Sequence, residues 1–236
     1  ISQHATQQAN GFFASRLARL WQDIHWGSLL FLSPLWPMAL IYPQLLEEWE
    51  RRVIHRGESA RKVEQQLFGV RLLDICQALV DLWRLPIWVQ QGYRLLLKEQ
   101  RELVKVLRIA RDSDHPLRQQ NSLDDDPTLR RWLNQPANTV LLANGLALSA
   151  QQAWDSPHSR RWQNLTSLYL QVSMDEVQQQ LHQQAANSAR LHAMPDLWHP
   201  AVSLLWPWGM NRIHAGALPA PAPSAENLAK WRSQCT

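Results

Sequence analysis

The chain has 236 residues, with 24 Lys and Arg against 20 Asp and Glu, a net charge of +4. That length suits one large domain or two small ones with a sizeable core, and the mild charge, carried mostly by Arg dispersed among acids, argues against a nucleic-acid-binding stripe. Two cysteines, Cys76 and Cys235, supply neither a disulfide framework nor a zinc knuckle and suit a reducing compartment.

The first residues, ISQHATQQAN, are polar, so no secretory signal is expected there. Residues 4–22 place Ala9, Phe12, Phe13, Leu17 and Leu20 at helical spacing. The next stretch, LLFLSPLWPMALIY (29–42), carries no charge, and from Ile24 to Leu46 the only ionisable side chains are His25 and Tyr42. A membrane-spanning helix needs ~20 apolar residues, so the length is just adequate. Pro34, Pro37 and Pro43 argue against it, because an interior proline removes a backbone hydrogen bond that lipid cannot replace. A short buried helix ending near Ser33, then an irregular apolar turn, is expected, with no membrane contact.

QLLEEWERRVIHR (44–56) predicts a charged amphipathic helix closed by Gly57. Its Arg51, Arg52 and Arg56, with Arg61 and Lys62, alternate with Glu47, Glu48, Glu50, Glu58 and Glu64 and read as a solvated, salt-bridging face. Ser59 then starts a helix to about Arg84, with the apolar stripe Val63, Leu67, Phe68, Leu72, Ile75, Cys76, Leu79, Leu82 and Trp83. Cys76 is expected to be a small, inert core residue. Pro86 begins a helix to about Ala110. RDSDHPLRQQNSLDDDP (111–127) reads as a polar loop ending in an Asp126–Pro127 helix start, where Asp124–Asp126 cap and complement the helix dipole.

Helices are predicted over 137–154 and 158–170, and Ser173 with Glu176 forms a capping box for a helix over 173–191. Eight glycines and no alternating strand run make the chain an all-α, compact multi-helix domain. The Pro- and Trp-rich segment 193–214 is expected to pack on this body. Its Trp198, Trp206 and Trp208 either pack there or form a partner-binding patch. AGALPAPAPSA opens a flexible Pro/Ala-rich tail, 215–236.

The segment FGVRLLDICQALVDLWRLP (Phe68–Pro86) resembles the HDOD domain, a helical output module of bacterial signalling proteins related to the HD metal-dependent phosphohydrolases. Members of that family carry F-G-x-x-H-x-x-V-G-x-x-L-x-x-x-W-x-L-P at this spacing, with an acidic residue where Glu64 stands. The likeness extends over residues 1–192. HATQQANGFFASRLA resembles the helix with the family's first histidine, WGSLLFLSPLWPMAL the helix and turn reading A-F-L-A-G-L-L-H-D-I-G, and WVQQGYRLL the segment ending in paired histidines. TVLLANGLALSAQQAW and the helix from Ser173 resemble the closing helices. The family's preceding helices are not in the chain.

On this resemblance His4 falls at the first metal-ligand position, Ser33 and Pro34 replace the His-Asp pair, Leu72 replaces another histidine, and Leu95 and Leu96 replace the terminal pair. Proline and leucine have no lone pair to offer a metal, and one serine is a poor ligand. No metal, cofactor or catalytic residue is therefore expected, and the former cleft should be core, filled by Leu72, Leu95, Leu96, Pro34 and Trp36. The resemblance implies a bacterial, cytoplasmic, non-catalytic signalling module acting through a protein partner or linked domain. The alternatives are a residual metal-dependent phosphohydrolase or phosphodiesterase and a nucleotide or small-ligand sensor. The remaining histidines show no metal-binding spacing: His25, His55, His115, His158, His182, His192, His199 and His214 read as surface or singly bonded residues, and His4 as half-exposed.

Overall fold

The computed structural model describes residues 1–13, 20–112, 115–151, 153–192 and 199–205. All regular structure among them is helical. Trp198, Trp206, Trp208, Leu17, Cys235 and the expected tail lie outside the described residues.

Helix α11 (Pro136–Ala150) is the centre of the fold. Every residue from Ala137 to Ala147, with Ser149 and Ala150, is buried. Its sequence explains this. Leu and Val occur all round the helix, and Ala and Gly between them let neighbouring helices approach. Helices α1 (Ser2–Gln8), α2 (Trp21–Leu30), α7 (Ile87–Lys98) and α12 (Pro157–Leu170) pack on it. Its buried polar side chains bond across these contacts. Asn144 Nδ2 donates to the Ser28 carbonyl at 3.1 Å, and Thr139 Oγ1 lies 2.8 Å from Tyr169 Oη. The helix ends at Ala150, short of the predicted 154.

Prolines start helices repeatedly. The 3-10 turn Ser33–Leu35 and the helices α3 (Trp36–Ile41), α4 (Pro43–Glu50), α9 (Pro116–Asp124), α10 (Pro127–Leu133), α11 and α12 all hold proline in the first two positions. There the missing N–H has no helical partner to lose. The charge-free stretch is thus a chain of short helices rather than an irregular turn. Asp126 accepts from the Leu129 N–H at 3.0 Å, as the Asp-Pro pair predicts, and Ser173 Oγ accepts from the Glu176 N–H at 3.3 Å to start α13 (Met174–His192). The expected polar loop is corrected to α9, whose start is the His115–Pro116 pair. His115 Nδ1 accepts from the Leu117 N–H, and the helix is short and polar enough to hide from an apolar-periodicity test.

The helix predicted from Ser59 to Arg84 is two helices, α5 (Ala60–Leu67) and α6 (Leu72–Leu82). Gly69 sits between them at φ +76°, a left-handed conformation that glycine adopts without a Cβ clash. The stripe divides accordingly. Val63, Leu72 and Cys76 are buried, and Val80 joins them, while Leu82 and Trp83 are exposed. The helix expected from Pro86 to Ala110 likewise breaks at Glu99 into α7 and α8 (Gln100–Asp112).

The charged face over 44–66 is built as expected. Arg51 pairs with Glu48, and Arg52 donates to Glu58 and to Gln66. The 3-10 stretch Pro200–Leu205 lies against α13 and receives the Trp154 indole N–H on the Pro200 carbonyl at 3.0 Å.

Candidate functional site

The turn after α2 packs against α6, and α6 packs against α7. This brings together most of the positions where the resemblance places metal ligands. Ser33, Pro34, Leu72 and Leu95 are buried, and Leu96 is half-buried against the core. Trp36 is a correction to the expected filling: it is 47 % exposed, and α3 buries none of its residues. Phe31 and Tyr93, two further core residues of these elements, pack against each other. Their rings stack 4.7 Å apart, and Tyr93 Oη donates to the Phe31 carbonyl at 2.8 Å. Gly92 makes the approach possible, since a Cβ there would meet the Phe31 ring at 2.8 Å.

Burial holds two polar groups of this region, the Cys76 thiol and the Tyr93 hydroxyl, in their neutral forms. Burial pushes the Cys76 thiol up to about 11, with Glu64 adding to the effect, so it stays a neutral thiol at physiological pH. Burial also raises the Tyr93 hydroxyl. Glu64 accepts from the Trp49 indole N–H at 3.1 Å and from the Leu72 backbone N–H at 3.3 Å. Its carboxylate thus sits at the amino end of α6, where the helix dipole favours an anion. The resemblance places Glu64 where family members carry an acid, and here it ties α4 to the start of α6.

The half-exposure expected of His4 is also corrected. His4 is 3 % exposed, and its ring lies 5.4 Å from the His199 ring and 6.3 Å from that of Trp154. Trp154 in turn meets His182 at 5.1 Å. Gln8 Nε2 contacts His4 Nε2 at 3.3 Å and donates to the Leu181 carbonyl. That carbonyl fixes the amide orientation, so His4 Nε2 is the acceptor and Nδ1 carries the proton, without a partner. Burial first, and His199 second, lower the His4 pKa to about 3. Sequence reasoning missed this cluster because His4 is far in the chain from Trp154, His182 and His199, and no spacing links them.

Ser33 Oγ is also buried without a partner, and it is the one donor atom among the side chains replacing the His-Asp pair. Among the described residues, no three His, Cys, Asp or Glu side chains gather closely enough to hold a metal ion. Of the other histidines, His25 Nδ1 lies 3.0 Å from Asn10, His55 Nε2 lies 3.9 Å from Glu50, and His158 receives the Trp162 indole N–H.

Large apolar side chains are exposed on α3 and at the end of α6. Leu40 is 83 % exposed and Ile41 64 %, with Tyr42 next to them on α3 and its end, while Leu82 at the end of α6 is 73 % exposed beside Trp83. By length and composition the run Trp21–Ile41 suffices to cross a membrane, and 39 % of its 18-residue window is buried inside the fold. No family model matches the chain, and neither a curated protein nor a solved structure matches it.

Proposed function

We propose that the chain is a catalytically silent, HDOD-type regulatory module of bacterial signalling that works by contacting a protein partner or a linked signalling domain in the cytoplasm. The observation that carries this reading is the filling at the Ser33 turn. Pro34, Leu72 and Leu95, which stand where the family resemblance expects metal ligands, are buried, and burying a leucine side chain stabilises by about 1.5–3 kcal/mol. The one matching histidine, His4, packs with Trp154 and His199 instead. The exposed apolar residues of α3 and of the end of α6 support the contact role, since large exposed apolar and aromatic side chains are favoured at docking faces.

The test is metal analysis of the purified chain together with a phosphodiesterase assay in added manganese. The reading expects neither tightly bound metal nor turnover. A stoichiometric divalent ion, or hydrolysis abolished by a chelator, would overturn it.

A further inference from the structure

Helices α8 and α12 pack side by side, and between them opens a cavity of about 350 Å³, at the lower end of the size of small-molecule sites. Its walls are Val104, Leu107, Arg108 and Arg111 from α8, and Arg161 and Asn164 from α12. No carboxylate lines it. Arg111 Nε pairs with its neighbour Asp112 at 2.8 Å, while Arg108 and Arg161 form no ion pair or hydrogen bond among the described residues. Two uncompensated guanidinium groups, and a third only partly satisfied, therefore share one cleft.

Helix dipoles account for part of this arrangement only. Arg108 and Arg111 lie near the carboxyl end of α8, where cations are favoured. Arg161 is in the second turn of α12, nearer that helix's positive end, and still faces the α8 cleft. Like charges brought together in this way repel, and a bound anion removes the repulsion.

We propose that the α8–α12 cleft binds a small phosphorylated molecule, its phosphoryl group held by Arg108, Arg111 and Arg161 and its organic part lying on Val104 and Leu107. A phosphomonoester carries close to two negative charges at neutral pH, which balances the two unpaired guanidiniums, and its three terminal oxygens suit donors arriving from two helices. Arginine forks bind such oxygens in pairs, which a single carboxylate would use less completely. Asn164 adds an amide at the rim. The site is separate from the Ser33 turn, so it does not depend on whether the former metal cleft has any function.

Titration calorimetry of the full chain at low salt, with inorganic phosphate and with phenyl phosphate, tests this. Phenyl phosphate is expected to bind more tightly than inorganic phosphate, because only it can use Val104 and Leu107. Arg161→Gln and Arg108→Gln should each weaken binding by about tenfold or more, roughly the loss of one charge-assisted contact. Arg94→Gln, an exposed arginine on α7, should leave it unchanged. All three side chains are exposed, so matched unfolding midpoints are expected. A second readout is His158, whose pKa is lowered by burial and then by Arg161. Phenyl phosphate should raise its NMR titration midpoint in the parent protein and not in Arg161→Gln. Absence of binding to both anions, equal affinity in Arg161→Gln, or an equal loss in Arg94→Gln would overturn the site.

Discussion

Tyr93 holds Phe31 twice: its ring stacks on the Phe31 ring at 4.7 Å, and its hydroxyl donates to the Phe31 backbone carbonyl at 2.8 Å. One side chain of α7 thereby fixes both the end of α2 and the direction in which the chain leaves it toward Ser33. The two interactions are separable. Tyr93→Phe keeps the ring but removes the hydroxyl, with its bonds to the Phe31 carbonyl and the Cys76 side chain, and should cost about 1 kcal/mol, whereas Tyr93→Ala also empties the core and should cost about 3–5 kcal/mol. Urea unfolding of the two variants measures both. Equal losses would mean that the stack contributes nothing.

Gly92 is the complementary position. A methyl group there must displace the Phe31 ring, because that ring already stands 2.8 Å from where the Cβ would be. Gly92→Ala is expected to destabilise by about 1–3 kcal/mol although alanine is the better helix former. A stabilised Gly92→Ala variant in thermal unfolding would show that Phe31 does not pack as described.

Leu95 and Leu82 carry the same side chain in very different surroundings, at 2 % and 73 % exposure. Leu95→Ala should cost about 2–5 kcal/mol and Leu82→Ala less than about 0.5 kcal/mol. If Leu82 is part of a docking face, its substitution should instead reduce partner capture without moving the unfolding midpoint. A large stability loss at Leu82 would place it in a core.

His4 gives the fold a definite acid response. Its pKa is about 3 when folded, against an ordinary value of 6.5. Between those values the unfolded chain binds a proton that the folded chain does not, so this contribution is intact above pH 7 and is lost as pH falls from 6.5 toward 3. The limiting slope is about 1.4 kcal/mol per pH unit. Urea midpoints at several pH values should show that decline in the parent protein and a shallower one in His4→Phe, which keeps a ring but cannot titrate. Superimposable pH profiles would count against a buried neutral His4.

Gln171 ends α12 in the left-handed conformation at φ +60°, with its side chain exposed. Glycine takes that conformation without the Cβ penalty, so Gln171→Gly should raise stability by up to about 1 kcal/mol, read as a higher urea midpoint. A lower midpoint would argue against the left-handed cap.

Local signals in the sequence were enough for the helical class, the starts at Asp126–Pro127 and Ser173–Glu176, and the burial of Cys76. Those depend on neighbours within a turn or two: an oxygen three residues ahead of an N–H, or an apolar residue repeated at the helical period. The division of the 59–84 stripe was less legible. The apolar period runs on through Gly69, and its positive φ makes the break.

Which face of a helix meets another is a different kind of question, because burial belongs to a pair of segments and a period belongs to one. Tertiary packing alone decided that Trp36 and Leu82 stay in solvent while Phe31 meets Tyr93. It also set His4 against Trp154 and His199, and Arg161 opposite Arg108. The sequence by itself determined what each segment could become; the assembled helices determined what each side chain touches, because those contacts join residues with no local signal to link them.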